Sequence, residues 1–141
     1  MGYIERRDKK AERSMILAAV EDLIFLSKIQ QTARLAGVEI EVVAPERLHN
    51  QLSDPRVRAA ILDLNHCSGS AVDAIRAVKS DGATRHVRIV GFLSHVQGEL
   101  AAAAREAGCD LVLARSAFSQ QLPQILRQLA GENERSLNGQ A

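Results

Sequence analysis

The chain alternates, five times over, a short apolar run with a segment of helical periodicity, and this order leaves few folds open to it. Met15 to Val20 (MILAAV) is a continuous apolar run closed by Glu21 and Asp22. The segment that follows, up to Gly37, repeats Phe25, Ile29, Ala33 and Ala36 at helical spacing, with Gly37 as the expected stop. Glu39 to Val43 alternates as a short strand, and Pro45 suits the first turn of a helix running to about Leu52. Asp54-Pro55 marks a turn before a third strand, Ala59 to Leu64. Ser70 opens a helix with Val72, Ile75 and Val78 on one side, and Val87 to Leu93 makes a fourth strand. An Ala-rich helix from about Gln97 to Ala107 ends at Gly108. Leu111 to Leu113 is a fifth strand, and Phe118 to Ala130 carries Leu122, Ile125, Leu126 and Leu129 as the last amphipathic helix.

Strands separated by helices pair in parallel, because parallel neighbours need crossovers, and the expected fold is an α/β sheet with helices on both faces. The residues support this filling: 46% of the chain is hydrophobic but only 3% aromatic, so Ala, Val, Ile and Leu must build the core. In such sheets ligands sit outside the carboxyl ends of the strands, near the switch in strand order.

The 141 residues suit one domain. Residues 1–13 are dense in charge of both signs and read as a solvated arm; residues 131–141 (GENERSLNGQA) are too polar to offset their ordering entropy and read as a disordered tail. The domain proper is expected over 14–130. A formal net charge of +1, with mixed signs along the chain, gives no field that would draw it to nucleic acid or a membrane surface. No apolar run approaches a bilayer span, and Cys67 and Cys109 form no C-x-x-C pattern, so a cytoplasmic location is expected.

The positions just after the strands hold Glu21 and Asp22, then Asp63, Ser94 and Arg115. Carboxylates would offer hard oxygen ligands to Mg²⁺, while a cation and a hydroxyl would hold the oxygens of a transferred phosphoryl group. Phosphoryl transfer depends almost wholly on such positioning and charge neutralisation. Each residue also has a plainer role open to it. Asp63 and Ser94 can cap a following helix, Glu21 and Asp22 can complement the first helix N-terminus, and Arg115 can pair with Asp63 in a structural ion pair. His66, Cys67 and His95 share this end of the sheet, but their spacing matches no zinc signature.

These positions resemble those of the receiver domain of bacterial response regulators, over roughly Met15 to Leu129. Ala60-Ile61-Leu62-Asp63-Leu64-Asn65 resembles the phosphoacceptor strand, Gly91-Phe92-Leu93-Ser94 the strand-four motif, and Ala107-Gly108 through Arg115-Ser116-Ala117-Phe118 the stretch in which receivers carry Lys-Pro-Phe. The resemblance implies a flavodoxin-like (βα)5 three-layer sandwich with strand order 2-1-3-4-5. It also implies Asp63 as phosphoacceptor, Ser94 and Arg115 as its partners, and Mg²⁺ held by the acid pair, Asp63 and the Asn65 backbone carbonyl. It further implies a histidine kinase or other signalling protein as partner, and a homodimer through the face of the fourth helix, fifth strand and fifth helix. No enzymatic activity is implied beyond the domain's own phosphorylation and dephosphorylation.

The departures from the family matter equally. Counting back from Gly37 puts the acid pair on Val20 and Glu21, whereas a shift of one residue puts it on Glu21 and Asp22. Arg115 replaces a Lys, exchanging a compact charge for a planar fork. Ser116 replaces the Pro that follows, where a cis bond without Pro would cost about 2.5–4 kcal/mol, so a trans peptide is expected. Val112 stands where many receivers carry a switch aromatic. Two functions follow: a stand-alone receiver phosphorylated on Asp63, or a pseudo-receiver that signals by protein contact alone. A small flavodoxin-like enzyme is a third reading, weakened by the lack of a phosphate-binding loop after the first strand.

Overall fold

The protein is described by a computed structural model over residues 15–66, 69–94 and 98–131. The elements run β1 (Met15–Ala19), α1 (Leu23–Ala36), β2 (Glu39–Val42), α2 (Pro45–Gln51), β3 (Val57–Asp63), α3 (Ala71–Ser80), β4 (Arg88–Leu93), α4 (Gly98–Ala107), β5 (Leu111–Ala114), α5 (Arg115–Gln120) and α6 (Leu122–Leu129). All strand pairs are parallel, in the order β2-β1-β3-β4-β5, which is the architecture expected of a flavodoxin-like (βα)5 sheet. The charged arm and the tail beyond Gly131, like Cys67 and His95, lie outside the described residues.

The central strands are buried on both faces and therefore read as continuous apolar runs. Every residue of β1 is buried, as are all of β3 except Arg58. Alternate residues feed two cores. Leu17, Leu62 and Ile89 pack with Leu48 of α2, Ile75 and Val78 of α3 and Ala104 of α4 on one face. Ile16, Ile61 and Phe92 pack with Ile29 of α1, Phe118 of α5 and Leu126 of α6 on the other. Each fully buried Leu, Ile, Val or Phe among them contributes about 1.5–3 kcal/mol of transfer free energy.

Local signals set the helix ends. Asp22 caps α1 by accepting from the backbone N–H groups of Ile24 and Phe25, and Gly37, at φ 74°, closes it in the left-handed conformation. Pro45 opens α2. Gly108, at φ 111°, lets the Lys79 stem pass: a Cβ there would lie 2.7 Å from Lys79 Cγ. Lys79 Nζ thereby reaches the carbonyls of Arg85 and Val87 and the Asp110 carboxylate.

The structure corrects the sequence at the C-terminal helix. The expected single helix from Phe118 to Ala130 is two, α5 starting three residues earlier at Arg115 and α6 following a break at Gln121. Pro123 causes the break, since it has no N–H for the Ser119 carbonyl and its ring crowds that carbonyl. Arg115 is the first residue of α5, directly after β5. The described residues contain no cis peptide, Ala114–Arg115 and Arg115–Ser116 included.

Candidate functional site

The carboxyl ends of β1, β3, β4 and β5 converge on one crevice, and Asp63 is its innermost polar group, 6% exposed at the last position of β3. Its Oδ1 accepts the Asn65 backbone N–H at 2.9 Å, which closes a tight turn directly after the strand. The Asn65 side chain reaches across to the next strand end. Its Oδ1 accepts both the backbone N–H of Ser94, at 2.8 Å, and the Ser94 hydroxyl, at 3.2 Å. Asp63, Asn65 and Ser94 thus form a continuous hydrogen-bonded line from β3 to β4.

Burial raises the Asp63 carboxyl above its ordinary range, and the nearby negative charge of Glu21 adds to this. The Asn65 N–H and the positive charge of Arg115 work in the opposite direction without cancelling the burial. Glu21 and Arg115 are therefore close enough to bias Asp63, and neither bonds to it.

Arg115 is engaged elsewhere. Its guanidinium lies 3.3 Å from Asp22 Oδ2 and sits over the ring of Phe25, 4.6 Å from the centroid, with the Phe92 ring at 5.7 Å. The anticipated pairing of Arg115 with Asp63 is replaced by one with Asp22. Asp22 already caps α1, and those backbone donors together with Arg115 hold its carboxyl below the usual range. Beneath the cation, Phe25, Phe92 and Phe118 form one cluster, Phe92 stacked on Phe118 at 4.9 Å between centroids. These are all the phenylalanines of the chain.

The sequence missed the cluster and the Asn65 side-chain bridge. The signal for the first lay in the placement of Phe25 on the buried side of the helix after strand one and of Phe92 in strand four. The second had none beyond an amide two residues past a strand-end Asp.

A resident Mg²⁺ takes six oxygens in an octahedral shell, several of them water, with one or two protein carboxylates among them. Val20, buried after β1, supplies none. Both Asp22 oxygens are taken by the helix cap and Arg115, and the Asn65 amide oxygen by Ser94. Among the described residues no three acidic, His or Cys side chains gather closely enough to hold a metal. Of the ligands the resemblance implies, Asp22 is therefore engaged elsewhere, and Glu21, Asp63 and the Asn65 backbone carbonyl are the other oxygens that would hold such an ion.

No family model matches the sequence, and no curated protein does. Solved structures do match. A response regulator from Hahella chejuensis superposes with a TM-score of 0.72 at 18% identity, covering 82% of this chain and 94% of that one. The receiver domain of a sensor histidine kinase from Pseudomonas aeruginosa, with a magnesium ion coordinated in its active-site cleft, gives 0.71 at 21% identity, covering 84% and 98%. The Mn²⁺-bound form of another response regulator gives 0.69 at 13% identity, covering 81% and 92%. The protein has the receiver-domain fold of response regulators, the fold typical of two-component signalling proteins. No described helix is long and apolar enough to cross a membrane.

Proposed function

We propose that this chain is a receiver-fold signalling module whose output is protein contact, and that its Asp63 crevice is poorly equipped for metal-dependent phosphoryl transfer. The observation that carries this reading is the commitment of Arg115 to Asp22 and Phe25. A receiver-like site needs a mobile cation for the phosphoryl oxygens and two acids for the metal; here the cation is bound to Asp22, and one acid-pair position is compromised in either register, by Val20 in Val20-Glu21 or by this ion pair in Glu21-Asp22. Rearranging them would break an ion pair, a helix cap and a cation–ring contact together.

The partner surface most consistent with this reading is the sheet edge at β5. Leu111 is 39% exposed there, and Val112, Leu113 and Ala114 are half-buried between α4 and α5. An apolar edge strand invites pairing with another chain. A second copy of this protein, or a signalling protein such as a histidine kinase, is the expected occupant.

One observation favours phosphorylation on Asp63 as the second reading. The carboxylate ends the central strand β3, tied through Asn65 to the Ser94 hydroxyl, and Arg115 is near enough to act on its charge. Incubation with acetyl phosphate and Mg²⁺, followed by intact mass measurement, decides between the two. The proposal expects no phosphoryl increment. A stoichiometric increment that Asp63→Asn abolishes overturns it in favour of the second reading.

A further inference from the structure

Helix α1 carries most of the large apolar side chains that the described residues leave in solvent. Leu23, Ile24 and Leu35 are 77%, 85% and 90% exposed, three of five such residues. Phe25, Leu26, Ile29 and Ala33 already anchor the helix on the sheet, so these three contribute little to its own packing. Ile24 and Leu35 belong to one stripe. Ile24, Lys28, Gln31 and Leu35 follow one another at intervals of four, three and four residues, the spacing at which side chains share a helix face, and all four are exposed.

The stripe is its own complement. In an antiparallel pair of such helices about a two-fold axis between Ile29 and Gln30, Ile24 faces Leu35 of the second copy, and Lys28 faces Gln31 of the second copy. Apolar ends then meet apolar ends and the polar middle meets itself, as an isologous contact requires. Alternating steps of three and four are also the spacing of a helix–helix seam. The central charge is drawn aside, because Lys28 Nζ donates to the Ser119 hydroxyl on α5. Charge is complementary along the pair as well. The last turn of α1 holds Arg34, and antiparallel pairing lays it beside the end that carries Glu21 and Asp22, with the two helix dipoles opposed. A parallel pair would instead set Lys28 beside Lys28 and Arg34 beside Arg34.

We infer that the exposed face of α1 is a self-association surface on which a second copy of this chain seats its own α1 antiparallel. The contact is small, since 14 residues make a helix about 21 Å long. It belongs with transient interfaces, those below about 1,200 Å², and forms a monomer–dimer equilibrium rather than an obligate dimer. The inference does not rest on the function proposed above: α1 packs against β2 and α6, and β5 is the strand at the other edge of the sheet. A pair formed on α1 leaves the β5 edge open to a different protein.

Sedimentation equilibrium of the full chain over a range of concentrations reads the association. A dimer is expected at the higher concentrations, and Ile24→Glu or Leu35→Glu is expected to weaken it at least about tenfold, since each sets a charge against the apolar seam. Circular dichroism confirms that each variant is folded. Single cysteines fix the orientation. Ile24→Cys chains mixed with Leu35→Cys chains are expected to cross-link under mild oxidation, whereas either variant alone does not, because like positions stand about 16 Å apart along the axis. The wild-type chain controls for Cys67 and Cys109. Three results would overturn the inference: a monomer at every concentration, a dimer lost in Leu111→Glu but kept in Leu35→Glu, or single variants that cross-link as well as the mixture. The second would put the pair on the β5 edge, and the third would make it parallel.

Discussion

Arg115 donates to Asp22 at 3.3 Å across the mouth of the crevice, joining the first residue of α5 to the N-cap of α1, while Asp63 lies below without a bond to either. A half-exposed ion pair of this kind contributes little to stability alone. Its importance is geometric: it withdraws one cation and one carboxylate from the chemistry a receiver-like site would perform.

That withdrawal is reversible by design. Arg115→Lys removes the planar fork that fits both Asp22 and the Phe25 ring, and Val20→Asp adds a carboxylate directly after β1. The double variant is expected to gain a phosphoryl increment from acetyl phosphate in Mg²⁺, with neither single variant reaching the same level. Intact mass, with Asp63→Asn added as the control for position, reads the outcome. A folded double variant that stays unlabelled would mean that the crevice is closed by something other than these two residues.

Asp63 sets a pH dependence whose sign can be stated. Its folded carboxyl is raised above the ordinary 3.8 of an aspartate, so keeping it ionised costs stability, and that cost grows as pH climbs from about that value through the folded one. Asp63→Asn keeps an oxygen for the Asn65 N–H and removes the charge. The variant is expected to match the wild type in Tm at low pH and to exceed it increasingly towards neutrality. Asp22 and Asp81 have the opposite sign: both are held below 3.8, and their stabilisation is present above that value and lost as pH falls through their folded ones. Urea unfolding at a series of pH values measures both trends, and an Asp63→Asn protein less stable than wild type at pH 7 contradicts the first.

Gly108→Ala tests how closely α3 and the turn before β5 are fitted. The new Cβ would meet Lys79 Cγ at 2.7 Å in a backbone conformation that side chains rarely adopt. Substitution where φ is positive costs more than the ordinary 0.4–1 kcal/mol scale of Gly–Ala exchanges, and overpacking adds about 1–3 kcal/mol. A loss of roughly 2 kcal/mol or more in chemical denaturation is expected. Because Lys79 is displaced, Lys79→Met should make the glycine substitution milder, which a double-mutant cycle reads directly.

The architecture was legible because burial on both faces of a parallel sheet leaves little freedom in the sequence. MILAA and the apolar stretch AAIL ahead of Asp63 can hardly be anything but central strands. Helix ends marked by Asp22, Gly37 and Pro45 were equally plain, since each mark is a local backbone requirement. The break at Gln121 escaped notice although Pro123 announces it, because the periodicity of Leu122, Ile125, Leu126 and Leu129 continues past it. The site was legible only as a set of positions. Sequence spacing brought Asp63, Ser94 and Arg115 to one end of the sheet, but which carboxylate the guanidinium would choose depends on side-chain reach and on the Phe25 ring beneath it. Neither is encoded in spacing.

That ring supplies the last prediction. Arg115 stands 4.6 Å over Phe25, close enough for the ring face to attract the cation, whereas Phe118 touches Phe25 and Phe92 and lies on the far side of the cluster. A double-mutant cycle between Phe25→Leu and Arg115→Gln is expected to show a coupling of about 0.5–1 kcal/mol, the range for a partly exposed cation–ring contact. Phe118→Ala should be far more costly, about 3–5 kcal/mol, because it empties a fully buried ring site. Its loss should nevertheless couple to Arg115→Gln more weakly than the Phe25 substitution does. If Arg115 were held by Asp22 alone, the Phe25 cycle would close to zero, while a cycle between Asp22→Asn and Arg115→Gln would carry all the coupling.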